Sequence, residues 1–178
     1  MTPPQFKALT LHFKGGLQRV LISECHACAA FDPATLSENQ PPPLQSFSAI
    51  WDTGATSSVI NKRVVDVCGL KPTGMTQVQH AGGISDAETF LVAIWLPNEV
   101  GFSSVQVTRA DLRGADILIG MDIITRGDFS ITNLGGSTVF SFRCPSVRTV
   151  DFVKEAAHLS SAAAPPFYKG FRQKKKRK

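Results

Sequence analysis

Chemistry is most concentrated in the stretch Trp51-Asp52-Thr53-Gly54-Ala55-Thr56-Ser57-Ser58. It carries one carboxylate, on a tight turn that an apolar strand (residues 47–51) enters and the apolar pair Val59-Ile60 leaves. A carboxylate so placed can take up and release a proton, the basis of general acid–base work. Gly54 lets the backbone fold closely beneath Asp52, where a side chain would block a neighbour. Thr53, Thr56 and Ser57 bear hydroxyls of the kind that hydrogen-bond a loop and hold a carboxylate in one orientation. Alone, Asp-Thr-Gly is a common turn or helix cap. A second element follows at Ala115-Asp116-Ile117-Leu118-Ile119-Gly120-Met121-Asp122, where an apolar strand runs into a glycine and then an acid. The two together, in this order, are far more specific than either.

Together they resemble the retropepsin-like aspartic proteases. The resemblance covers residues 6–144 and implies that Asp52 is the catalytic acid. It makes Thr53, Gly54, Ala55 and Thr56 the supporting loop, and Ile119, Gly120 and Asp122 its structural brace. It also places a mobile flap at the glycine-rich turn of residues 80–85, with Ala81, Gly82, Gly83 and Ile84 as substrate contacts; glycines lower the barriers to backbone change there. The fold implied is all-β, a closed antiparallel acid-protease barrel of a single lobe, with one or two short helices and a flexible C-terminal extension. No metal or other cofactor is expected.

Hydrolysing a peptide without a metal or a covalent intermediate requires an activated water and a polarised carbonyl. Two carboxylates sharing one proton do both. The chain carries one Asp-Thr-Gly. The resemblance makes Asp122 structural, the same objection meets Asp116, and Asp86 falls near the flap tip. A homodimer, with one Asp52 from each copy, supplies the pair by two-fold symmetry. The substrate would be a peptide or protein bound as an extended strand, its pockets drawn from residues near Val59, Ile84 and Ile119. The function expected is that of an aspartic endopeptidase. The rival is a catalytically weak or inactive dimer that uses the same cleft to bind peptides.

At 178 residues, with 43% apolar and 19% charged residues, the chain suits one globular domain with extensions. The net charge of +5 is local: Lys169, Arg172, Lys174, Lys175, Lys176, Arg177 and Lys178 supply seven positive charges, and residues 1–168 without them carry −2. Such a tail (residues 169–178) permits weak contact with nucleic acid or acidic surfaces, and a nuclear address, beside its ordinary role as a solvated end. Neither a signal-peptide pattern nor an apolar run of membrane-spanning length is seen, so a cytoplasmic location without membrane contact is the expectation. Cys25-His26-Ala27-Cys28 has metal-ligand spacing but lacks a second pair to complete a zinc site; buried or half-buried thiols are the expectation for Cys25, Cys28, Cys68 and Cys144.

Glycine turns and apolar alternation predict hairpins over residues 8–23, 76–96 and 128–142, further strands at 102–108 and 117–120, and helical segments at 61–69 and 121–127. Residues 31–45, with Pro41-Pro42-Pro43, read as an exposed loop. The protease domain is expected over residues 1–150, and residues 151–178 as a linker and basic tail, with residues 147–159 able to form one helix or strand.

Overall fold

A computed structural model of the chain describes residues 5–35, 42–80 and 82–161. It divides into two compact units, residues 1–147 and residues 148–178. The first is built of β1 (Lys7–His12), β2 (Leu21–Ala29), β3 (Gln45–Trp51), β4 (Val59–Ile60), β5 (Gly74–His80), β6 (Gly83–Leu96), β7 (Val100–Arg109), β8 (Ile117–Ile119), β9 (Asp128–Thr132) and β10 (Val139–Cys144), with two short helices, α1 (Lys62–Val67) and α2 (Met121–Ile124). The class is all-β. In the second unit, α3 (Phe152–Ser161) starts at Asp151, whose carboxylate accepts the Val153 and Lys154 N–H groups at 3.0 Å. The basic tail lies outside the described residues.

Six strands join edge to edge in the order β2-β3-β8-β4-β7-β6, and β6 pairs back with β2, so the ring closes on itself. Most pairings are antiparallel, but β8 runs parallel to β3 and β4 runs parallel to β7. β8 lies between β3 and β4, with Trp51 opposite Ile119 and Ile60 opposite Ile117. Ile60, Ile117 and Ile119 are fully buried, and each contributes about 1.5–3 kcal/mol by leaving water. The strand entering the Asp52 turn and the strand leaving it therefore flank a common, apolar third strand, and the turn must arch over its end.

β5 and the first half of β6 pair with each other as a hairpin, Gly74 opposite Thr89 through His80 opposite Gly83. β7 takes up pairing only from Thr89 onward, so the hairpin projects beyond the ring. Gly83, at φ +117°, adopts a conformation that L side chains rarely reach.

A separate three-stranded sheet runs in the order β1-β10-β9. This corrects the hairpin expected over residues 8–23. β1 pairs with β10, Lys7 opposite Cys144 through His12 opposite Val139, while β2 pairs in the ring. Apolar alternation marks both segments as strands but does not name their partners. Gly15 and Gly16 instead turn the chain from one sheet to the other, the Gly16 carbonyl accepting the Thr138 N–H. The two sheets meet at Trp51, whose ring packs on Phe140, Phe142 and Phe129 at centroid distances of 4.8, 5.2 and 5.9 Å. Its indole N–H donates to Ser23 Oγ at 2.9 Å, so the buried polar edge is satisfied. The residue before Asp52 is thus anchored on both sides. The hairpin expected over residues 128–142 forms from β9 and β10.

Candidate active site

The turn of residues 52–58 is held from beneath by the chain that leaves β8. The Asp52 N–H donates to the Ile119 carbonyl at 3.0 Å, continuing the β3–β8 ladder one residue past the strand. The Ala55 carbonyl accepts the Met121 N–H at 2.9 Å, and the Thr56 carbonyl accepts the Asp122 N–H at 3.2 Å. Gly120 sits at the crossing. A Cβ built there would lie 2.6 Å from the Ser57 carbonyl carbon and 2.7 Å from its oxygen, so only glycine lets the two backbones approach this closely.

Asp122 completes the hold. Its carboxylate accepts the Ser58 N–H at 3.0 Å, the Ser58 hydroxyl at 2.8 Å and the Ile123 N–H at 3.0 Å. Ser58 Oγ also accepts the Gly120 N–H at 3.1 Å, and Ser58 is wholly buried. One hydroxyl therefore ties the end of the turn to the glycine and to the acid.

The other end of β8 has a matching clasp at Asp116. Ser48 supplies its N–H at 3.1 Å and its hydroxyl at 3.2 Å, Asn61 its amide at 3.1 Å and Arg63 its guanidinium at 2.8 Å. Burial alone would raise this carboxyl, but the hydrogen bonds from Ser48, Asn61 and Arg63 outweigh it and hold Asp116 below its ordinary value. Asn61 also caps α1, accepting the Val64 N–H at 3.1 Å.

Asp52 stands apart from these acids. One of its oxygens accepts the Gly54 N–H at 2.8 Å; among the described residues no other side chain or N–H reaches its carboxylate. It is partly exposed, and Thr53 and Gly54 beside it are exposed. Asp116 and Asp122 are each bound by several donors, Asp128 is occupied by Ser146, Val147 and Arg143, and Asp86 lies opposite Gln77 on the projecting hairpin. Asp52 is the carboxylate at this turn left open to act on something else.

The structure joins the expected loop (Asp52, Thr53, Gly54, Ala55, Thr56) to the expected brace (Ile119, Gly120, Asp122) through the Asp52–Ile119 and Thr56–Asp122 backbone bonds. It assigns the loop-holding hydroxyl differently: Thr53, Thr56 and Ser57 make no side-chain hydrogen bond among the described residues, and Ser58 makes the bonds instead. Ser58 was missed because four hydroxyl residues follow Asp52 and only packing tells which one is turned inward. The hairpin carries Gly82, Gly83 and Ile84 where expected, while Ala81 lies outside the described residues. Register separates the hairpin's two faces. Thr76, Val78, Ser85 and Thr89 share one face, and Met75, Ile84, Asp86 and Glu88 share the other. Thr76 and Thr89 border a cavity together with Ser57 and Asp122. Ile84 therefore belongs to the face turned away from that cavity, and it is 69% exposed.

Cys25 and Cys28 are buried three residues apart in β2, an odd spacing that directs them to opposite faces of the strand. Burial first, then the nearby Asp116 and Glu24 charges, push the Cys25 thiol up to about 12, and burial likewise pushes Cys68 up to about 11. Among the described residues no cluster of three or more His, Cys, Asp or Glu side chains is placed to hold a metal.

Residues 44–126, which hold both the Asp52 turn and its Gly120 brace, match the family described as "gag-polyprotein putative aspartyl protease". Over that stretch the chain is similar to this family. Among solved structures it is similar to a retropepsin-like aspartic protease from Rickettsia conorii, at 11% identity over 81% of this chain and 99% of that one, with a TM-score of 0.45. It is similar at 13% identity to the protease of Simian Foamy Virus (mac), over 57% of this chain and 89% of that one, with a TM-score of 0.38. It is also similar to the retroviral protease-like domain of Ddi1 from Leishmania major, at 20% identity over 68% of this chain and 93% of that domain, with a TM-score of 0.38. No curated protein matches the chain. No helix among the described residues is long and apolar enough to cross a membrane.

Proposed function

We propose that the protein is an aspartic endopeptidase whose active unit is a homodimer, with Asp52 of each copy forming one half of a proton-sharing pair. The observation that carries this reading is the contrast among the acids of one chain. Asp116, Asp122 and Asp128 are saturated with donors, whereas Asp52 keeps an oxygen with no partner among the described residues, on the rim of a rigid turn. A lone carboxylate cannot both take a proton from water and give one to a carbonyl oxygen. Two related by a two-fold axis can, the ionised one as base and the protonated one as acid. The exposed hydroxyl of Thr53 and the backbone of Gly54 stand beside Asp52 on the surface such a contact would cover. An extended peptide would lie between these turns and the projecting hairpins, bound through its main chain.

The experiment is cleavage of an unstructured protein pool by the purified chain at several pH values, with and without pepstatin, alongside a light-scattering mass. Cleavage on the acidic side of neutrality, blocked by pepstatin, unaffected by chelator and carried by a dimer, is expected. Asp52→Asn should lower the rate by at least about a hundredfold while leaving the fold and peptide binding largely intact. Cleavage by a species that stays monomeric at every active concentration would overturn the shared pair. Cleavage undiminished in Asp52→Asn would overturn the role of Asp52.

A further inference from the structure

A cavity of about 420 Å³ opens beside the Asp52 turn, bordered by Ser57 from that turn, Thr76 from the hairpin, Ser104, Gln106 and Thr108 from β7, and Arg126 beyond α2. We infer that this cavity is a flanking subsite for the bound peptide and takes a neutral hydrogen-bonding side chain, a carboxamide; the inference rests on the peptide-cleaving reading above.

Placement comes first. Ser57 is five residues past Asp52, and Thr76 is on the hairpin face that carries Val78 and Ser85. The cavity is bordered by both turn and hairpin but not by Asp52 itself, so the position it would serve flanks the scissile bond.

Chemistry selects the occupant. Two ionised groups border the cavity, Asp122 and Arg126. Arg126 is fixed in place: its Nε–H donates to the Asp122 carbonyl at 3.1 Å and its guanidinium carbon lies 5.4 Å from the centre of the Phe102 ring. Its two terminal amino groups have no partner among the described residues. The opposite charges of Asp122 and Arg126 balance. An entering carboxylate meets the first and an entering ammonium meets the second. An apolar side chain would strip water from hydroxyls and guanidinium and return no hydrogen bond. A carboxamide offers its oxygen to Arg126 and its NH₂ to Gln106 or a hydroxyl, and carries no charge to be repelled.

The test takes one cleavable peptide and places Gln, Met, Glu or Lys at each position in turn, side chains of comparable length. Catalytic efficiency is measured on the full chain, and binding of the same peptides to Asp52→Asn is measured by fluorescence anisotropy. At one flanking position Gln should exceed the other three by about tenfold in both measurements, equivalent to about 1.4 kcal/mol. Arg126→Ala and Thr76→Val, both at exposed positions and checked for fold by circular dichroism, should each shrink that preference several-fold. Met equal to or better than Gln at every position, or a Gln preference untouched by both variants, would overturn the subsite. Gln preference in binding with no cleavage by the unaltered chain would support the subsite and sink the enzymatic reading, so the two fail separately.

Discussion

The turn of residues 52–58 and the hairpin of residues 74–89 are the two halves of one proposed cleft, and they are built on opposite plans. The turn is short and crowded. Its backbone is bonded to Ile119, Met121 and Asp122, and its last residue is buried under an acid that bonds it twice. The hairpin is long and spare, the strand pairing of its outer segments among the described residues running between its own two strands, and its apolar side chains Met75 and Ile84 are 64% and 69% exposed. Position at the turn is set by backbone crossings that leave no slack, and a reacting carboxylate needs that constancy. Among the described residues the strands of the hairpin pair mainly with each other, the kind of segment that opens at low cost. One fold distributes its contacts unevenly between the floor and the roof of this proposed cleft.

The largest way to break this contrast is Gly120→Ala. Its Cβ would strike the Ser57 carbonyl group at 2.6–2.7 Å, both partners being backbone. A loss of about 3 kcal/mol, or a fall in Tm of roughly 6–12 °C, is expected by thermal unfolding. A change of less than a degree would mean that the floor is softer than the geometry states. Ser58→Ala should come next, at about 1–3 kcal/mol, because it strands the Gly120 N–H and removes one Asp122 bond in a buried place. If the turn positions Asp52, this variant should also lower kcat more than it raises KM.

Acidification should act in the same direction. Asp128 is held below its ordinary value by the Ser146 hydroxyl, the Val147 N–H and Arg143, and Asp116 is held low by the clasp described above. Both carboxyl groups titrate lower folded than unfolded, so their stabilisation is complete above about pH 4 and drains away as pH falls through their folded values. Tm should drop as pH falls below about 4, and less steeply in Asp128→Asn. A proton-sharing pair favours acid, so activity should end on its acidic side by unfolding; a Tm flat across that range would refute this. The smallest effect belongs to the roof. Ile84→Ser should leave stability within about 0.5 kcal/mol, and a loss approaching that of Gly120→Ala would erase the contrast.

The parts legible in sequence are those set by local chemistry. Asn61 and Gly69 bracket α1, with Gly69 at φ +59° closing it. Gly135 and Gly136 mark the β9–β10 turn, and the order Asp52, Gly120, Asp122 placed loop and brace together. What stayed hidden depends on partners distant in sequence. β1 alternates as a strand beside either neighbour, and only the closed core shows that β10 is the one. The parallel pairing of β3 with β8 leaves no mark on a three-residue apolar run. Ser58 is chemically no different from Ser57, yet the turn faces one inward and the other toward the cavity. The place of Ile84 after the glycines does not fix its face; an odd or even count from the hairpin turn sets it on the face opposite that of Thr76 and Thr89.

The pairing of β1 with β10 also imposes an order in time. Lys7–His12 is made before every other strand of the unit, but the strand that completes its ladder is the last of the unit to be made. Until Val139–Cys144 appears, Leu9 has no sheet to join, and Trp51 lacks Phe140 and Phe142 as packing partners. Contacts so far apart in sequence close slowly. A nascent chain stopped short of residue 139 would therefore carry the Asp52 motif complete in letters but without the floor that orients it. The floor beneath the Asp52 turn is complete only once β10 has been made.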